Sequence, residues 1–163
     1  MEPITYRPIG VIRSPFEEPH GTPIQPPAAA GVRGTVELDP AYTEGLKDLD
    51  GFSHLILIYH FHRSKSSSLQ VKPFMDNRAH GVFAMRGPSR PNSIGVSIVR
   101  LLKIEANRLQ IQDVDIVDGT PLLDIKPYVP EFDARHGAEV RIGWLGGNVQ
   151  KLSESRDDGR FAE

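Results

Sequence analysis

The chain has 163 residues, 39% apolar and 25% charged, which supplies one packed core and exceeds what a disordered segment carries. It holds no cysteine, which excludes disulfides, zinc–thiolate and iron–sulfur sites, and any thiol nucleophile. Nineteen Lys and Arg against 21 Asp and Glu leave a formal charge of −2, so the whole-chain balance gives no sign of a polyanionic partner.

Taken in chain order, residues 1–7 lack a basic region followed by an apolar stretch, and the longest apolar run, 55–59, is too short for a bilayer. The chain therefore reads as soluble and cytoplasmic, without a membrane partner. Ile4, Thr5 and Tyr6, then Ile9 to Ile12, flank Pro8 as an interrupted or edge strand. Residues 14–34 carry Pro15, Pro19, Pro23, Pro26 and Pro27 and are too long for a passive connection. Alternation over 34–38 predicts a strand, after which Asp39 caps a short helical segment opened by Pro40. Residues 54–61 form a continuous β-rich apolar stretch, the pattern of a strand buried on both faces.

Residues 63–80 are a basic, serine-containing loop, and 82–85 suggest another short strand. Over 94–104, Ile94, Val96, Ile98, Leu102 and Ile104 share one apolar face that only Arg100 interrupts. Leu109 and Ile111 keep one phase while Val114 and Ile116 keep the other, predicting a β-bulge near 112–113. The tail after Gly146 and Gly147 is charged and nearly aperiodic, and reads as frayed or partner-dependent. Several short strands with 14 Pro and 15 Gly predict a mainly β fold: a single-sheeted β-barrel with a short helix and long functional loops. Residues 4–145 make the barrel domain and 146–163 the tail.

Charge becomes informative when it is cut by position. Between Phe61 and Lys103 stand eight cations and one acid, Asp76, so the remainder of the chain is acidic. Such a stretch suits a local face for phosphate, or else is a solvated basic loop. Within it, Arg78, Arg86 and Arg90 lie among Gly81, Gly87, Gly95, Pro88 and Pro91, the make-up of a rigid loop that fixes guanidinium groups. A tight turn with arginines paired to neighbouring acids is the plainer alternative.

Further on, Asp118-Gly119-Thr120-Pro121 makes a sharp turn whose backbone can grip a small polar ligand. Asp124, Lys126 and Tyr128 then share a face as a proton-handling trio, unless Lys126 simply pairs with Asp124. His54, His60 and His62 share parity, but no acid stands near them in sequence and no zinc signature is present, so no metal is expected.

Several ordered blocks together resemble the TsaA-like, or TrmO, family. They are Ile9 to Pro15, Leu49 to His54, Gly81 to Arg86, Arg90 to Gly95, and Asp118 to Tyr128, and the likeness covers roughly residues 4–135. The resemblance implies a homodimeric β-barrel methyltransferase that uses S-adenosyl-L-methionine on N6 of threonylcarbamoyl-adenosine beside the anticodon of tRNA. It assigns the cofactor to Pro23, Ile24 and Gln25, His62 and Arg63, Arg86, Val96, and the turn Asp118, Gly119, Thr120, Pro121 and Leu122. Ile24 stands where the family often has arginine, and Ser93 where it often has proline.

A sulfonium methyl donor is already activated, so the protein must chiefly align donor and acceptor. A base drawn from Asp124 or Tyr128, tuned by Lys126, is expected to take the acceptor's proton. Arg90 and Asn92 are placed on the RNA side, with Phe83 or Tyr128 stacking on an unpaired base. A second subunit is expected to close the pocket through residues 14–34 and the surroundings of Trp144. The rival reading is a non-catalytic module that binds adenosylmethionine or RNA as a sensor.

Overall fold

Six segments that alternate apolar and polar positions close into one sheet. The computed structural model describes residues 1–135 and 139–162; residues 136–138 and Glu163, assigned above to the barrel domain and the tail, lie outside the described residues. The strands are β1 (Gly10–Arg13), β2 (Arg33–Leu38), β3 (His54–His60), β4 (Gln70–Val71), β5 (His80–Gly81), β6 (Ile94–Glu105), β7 (Arg108–Gln112) and β8 (Thr120–Pro127). Six of them form a closed antiparallel barrel in the order β1-β2-β7-β6-β3-β8, and β4 pairs with β5 apart from it. Closure leaves no free edge in the main sheet. Its core is Ile12, Val36, Leu38, Leu55, Leu57, Tyr59, Val99, Leu109, Ile111, Val114, Ile116 and Leu122.

Most strand readings match, with informative differences. Ile4 and Tyr6 are exposed and belong to no strand, because pairing begins only beyond Pro8, where Ile9 N–H donates to the Leu122 carbonyl. Asp39 does cap, its Oδ1 accepting from Ala41 N–H at 2.9 Å, but the segment Pro40–Leu46 is 3₁₀ and not α. Residues 82–84 form a 3₁₀ turn instead of a strand, burying Val82 and leaving Phe83 outside. In β3 the inner side chains Leu55, Leu57 and Tyr59 are buried while Ile56 and Ile58 are only half-buried. The phase change after Ile111 comes from Asp113, whose φ of +68° ends β7 and lets Val114 and Ile116 re-enter the core. The register shift in this pair lies across from it, between Leu101 and Lys103 of β6.

Strand β6 reverses the simplest reading of its pattern. Gly95, Ser97 and Val99 point inward, while Ile94, Val96 and Ile98 stand on the outer face at 40%, 50% and 41% exposure. Gly95 has no room for a side chain: a Cβ there would lie 2.2 Å from the Tyr59 ring paired across β3.

The tail is packed and not frayed. Two 3₁₀ turns, Gly143–Gly147 and Val149–Ser153, lead to Phe161, which is buried with Val71 and Val82 against Phe74 and Met85. Thr22 and Asp157 pair through their backbones, with Asp157 N–H donating to the Thr22 carbonyl at 2.9 Å. Trp144 Nε1 donates to the Ala84 carbonyl at 2.8 Å and its ring stacks on His80 at 4.5 Å. Trp144 and the proline-rich loop, expected to meet a second subunit, thus pack within their own chain. Among the described residues no helix is long and apolar enough to cross a membrane.

Candidate active site

The outer face of β6, the proline-rich loop, residues 61–64, the loop 73–90 and the tail enclose a cleft of about 1,070 Å³. Its apolar wall includes Val96, Ile98 and Phe83, and polar groups gather at its ends. At one end Arg86 Nη1 donates to Gln25 Oε1 at 3.0 Å, joining the proline-rich loop to the arginine loop. Arg90 supports that loop from behind: its Nη1 donates to the carbonyls of Met85 at 2.7 Å, Val82 at 3.1 Å and Gly87 at 3.3 Å. A guanidinium held this way organises backbone, a role different from the outward phosphate contact expected of Arg90.

At the other end the turn after residue 116 meets His62. Gly119 adopts φ +77°, which favours glycine, and Asp118 Oδ1 accepts from Ser14 N–H at 3.1 Å, pinning the start of the proline-rich loop. Thr120 donates its hydroxyl proton to the Val117 carbonyl at 2.6 Å, so its contact of 3.2 Å with His62 Nδ1 has the imidazole as donor. Nε2 of the neutral ring is left as an acceptor. Burial, then the neighbouring Arg63 and His60, hold the His62 pKa below its ordinary value.

Between the two ends the barrel core opens onto the cleft through a polar chain. Tyr59 Oη lies 3.0 Å from Ser97 Oγ, which donates to Asp115 Oδ1 at 2.6 Å. Ser97's proton goes to the carboxylate, so the Tyr59 hydroxyl is the donor to Ser97. Burial, and the Asp115 charge beside it, raise the Tyr59 pKa and keep it protonated. Burial also pushes the Asp115 carboxyl up to about 7, against the lowering pull of the Ser97 hydroxyl, of its own backbone N–H and, least, of Arg86.

Pro23, Ile24, Gln25, His62, Arg63, Arg86, Val96 and Thr120 are brought together around this one cleft. Asp118, Gly119, Pro121 and Leu122 shape the turn and strand behind it, with Leu122 fully buried in the core. Asp124 and Lys126 face each other at 2.8 Å, partly exposed on β8, and Tyr128 packs edge-on against His54; none of the three lines the cleft. Asn92 is exposed outside it. Among the described residues no three His, Asp or Glu side chains gather as metal ligands.

Sequence alone does not single out Tyr59, Ser97, Asp115 or Phe161 as parts of a site, and it places Trp144 and its surroundings at a subunit contact, whereas they form a wall of their own chain's cleft. For Asp115 a signal existed: it alternates with two apolar residues, Val114 and Ile116, just where the strand phase changes. An apolar wall with polar ends and a half-buried acid fits a cofactor that joins a flat base to a charged amino-acid portion.

The profile of the tRNA-methyltransferase O N-terminal domain matches residues 11–134. The chain belongs to this family. A Pyrococcus abyssi relative described as a probable S-adenosyl-L-methionine-binding protein is 63% identical over 158 residues, 97% of this chain and 85% of that protein. The human tRNA (adenine(37)-N6)-methyltransferase is 35% identical over 136 residues, 78% of this chain and 30% of its own length. A crystal structure of TrmO from Pseudomonas aeruginosa superposes with a TM-score of 0.72 at 43% identity, covering 88% of this chain and 63% of that one. The chain thus spans under two thirds of that TrmO chain and under a third of the human protein. The family profile ends before the tail that forms one wall of the cleft.

Proposed function

We propose that this TrmO-family protein is an S-adenosylmethionine-dependent methyltransferase of tRNA, acting on N6 of threonylcarbamoyl-adenosine next to the anticodon. The observation that carries the reading is the coincidence of one cleft with the segments on which the family resemblance places the cofactor. Pro23, Ile24, Gln25, His62, Arg63, Arg86, Val96 and Thr120 would hold S-adenosyl-L-methionine, with Arg86 and Gln25 at one end, the His62–Thr120 pair at the other, and the rest of the turn at 118–122 supporting Thr120 from behind. The cofactor supplies an activated methyl group. The chain orients it, excludes water with the tail and the proline-rich loop, and places the acceptor nitrogen in line.

The basic stretch supplies cations for the anticodon-stem phosphates, and Phe83, 77% exposed at the cleft, supplies a stacking surface for an unpaired base. Asn92 belongs to the RNA side. We place the enzyme in the cytoplasm as a homodimer. Leu102, apolar and 38% exposed on the outer face of β6 beyond the cleft, is the surface that favours a second copy.

The test is incubation of purified protein with total tRNA and methyl-labelled cofactor, followed by nucleoside analysis. Label is expected in N6-methylated threonylcarbamoyl-adenosine. Cofactor binding with no transfer to tRNA would establish the sensor reading in its place.

A further inference from the structure

We infer that Asp115 accepts the proton that leaves the adenine nitrogen during methyl transfer, with Ser97 and Tyr59 as its positioning residues. The inference rests on the methyltransferase reading above.

The acceptor of that proton must lie in the cleft and keep a free lone pair. Asp124 and Tyr128 fail the first condition. His62 meets both through Nε2, but burial and the neighbouring Arg63 hold its pKa below the ordinary imidazole value, which leaves it the weaker base. Asp118 is also outside the lining, with Oδ1 accepting from Ser14 N–H and Oδ2 facing Arg13 at 3.7 Å. Asp113 lines the cleft, but its Oδ1 holds Gly31 N–H at 2.7 Å, and Asp157 Oδ1 holds Gly159 N–H at 2.7 Å. Each keeps an Oδ2 as Asp115 does, so a free lone pair alone does not separate them; they are set apart because Oδ1 of each fixes a backbone turn, whereas Asp115 ends a chain of side-chain donors.

Asp115 differs. Among the described residues its one side-chain partner is Ser97, at Oδ1; its own backbone N–H also reaches the carboxylate, and Oδ2 has no side-chain partner. The chain of donors runs one way, from Tyr59 to Ser97 to Asp115, because the buried tyrosine stays protonated. That polarity holds Oδ1 as an acceptor in both charge states and leaves Oδ2 to gain or lose the proton. The groups facing it are Tyr59 from β3, Ser97 from β6 and the Arg86 guanidinium from the loop. A carboxyl with a pKa of about 7 is half-charged at neutral pH, the condition under which a base is both available and strong enough.

In the step itself a nitrogen–methyl bond forms and the methyl–sulfur bond breaks, its electron pair staying on sulfur. The N–H proton passes to Asp115 Oδ2, and the resulting carboxylic acid returns it to solvent through the cleft mouth.

The experiment compares wild type with Asp115→Asn and Ser97→Ala. Carbon NMR of the cofactor-free wild type is expected to show the Asp115 carboxyl titrating near pH 7. Asp115→Asn is expected to lose about 100-fold or more in single-turnover methyl transfer to tRNA, while cofactor affinity by calorimetry stays within about threefold. Ser97→Ala removes a hydrogen bond to the charged form, so the alkaline-rising limb of its rate profile is expected to move to higher pH.

A carboxyl that titrates in the ordinary range overturns the assignment, as does Asp115→Asn transfer within about threefold of wild type. Loss of cofactor affinity by more than about tenfold also overturns it, by making the carboxylate a cofactor ligand. If wild type binds cofactor and transfers no methyl group, the methyltransferase reading fails and this assignment falls with it. Transfer by wild type together with an active Asp115→Asn removes this assignment alone.

Discussion

Two charged side chains carry the most testable physics at the residue scale. Arg90 holds three carbonyls of the loop that carries Arg86, so Arg90→Ala removes this donor from all three and leaves Val82 only its bond from Met85 N–H. A charged hydrogen-bond set of this kind contributes on the order of 2 kcal/mol. The expected outcome is a lower melting temperature together with weaker cofactor binding by calorimetry. A variant of unchanged stability and cofactor affinity, whose tRNA binding is less salt-dependent, would return Arg90 to a phosphate-contact role. Asp115 makes the second case, through folding equilibrium. Its carboxyl rises from the ordinary 3.8 to about 7 on folding, so between those values the folded protein binds more protons than the unfolded chain. Stability therefore falls as pH rises through this window, and the loss is complete above about pH 7. Asp115→Asn stays neutral throughout, so it is expected to be more stable than wild type at pH 8, by on the order of 2 to 4 kcal/mol, with the gap closing towards pH 4. Denaturant titrations at both pH values check this, and a gap that does not change with pH contradicts it.

Strand β6 shows at the element scale both what sequence pattern conveys and where it stops. Its length and strand character are legible in the alternation, but the larger side chains, Ile94, Val96 and Ile98, line the outer cleft while Gly95 and Ser97 face the core. The cause sits on the neighbouring strand, where the Tyr59 ring occupies the space inside Gly95, a fact held in two distant segments at once. The same is true of the site. The arginine loop and the Asp118 turn announce themselves through local Gly, Pro and Arg chemistry, whereas Asp115 shows in sequence only as an acid between two apolar residues and gains its special character through burial and a serine from another strand. The tail is illegible for a similar reason: Trp144 and Phe161 are two widely separated anchors with no period, each packing on a segment far away in sequence. Gly95→Ala tests the strand argument. Its methyl group meets the Tyr59 ring, so the ring must move, breaking its hydrogen bond to Ser97 and its edge contact with Phe61. Overpacking of this kind costs about 1 to 3 kcal/mol. Thermal unfolding is expected to register that loss, and methyl transfer is expected to fall further than cofactor affinity; a variant unchanged in all three shows that the ring has room to shift.

For the whole molecule, the barrel is a closed frame on which separate loops and a tail build a cleft outside the sheet. Leu102 belongs to the apolar outer row of β6 but not to the cleft, which makes it a clean probe of assembly. Leu102→Glu is expected to convert a dimer to a monomer in sedimentation velocity while leaving the fold intact by circular dichroism. A wild type that sediments as a monomer at micromolar concentration would remove the dimer from the proposal.

The pairing of Asp157 with Thr22 joins two ends of the sequence that the barrel alone would leave unconnected. Seen in time instead of space, this makes the cleft a late product of synthesis. A nascent chain that has delivered every barrel strand to the outside of the ribosome still lacks Trp144, Leu145 and Phe161, and with them one wall. The frame and the arginine loop thus emerge before the wall that the tail adds, so a translation intermediate with only the barrel strands exposed presents the cleft open to solvent on that side.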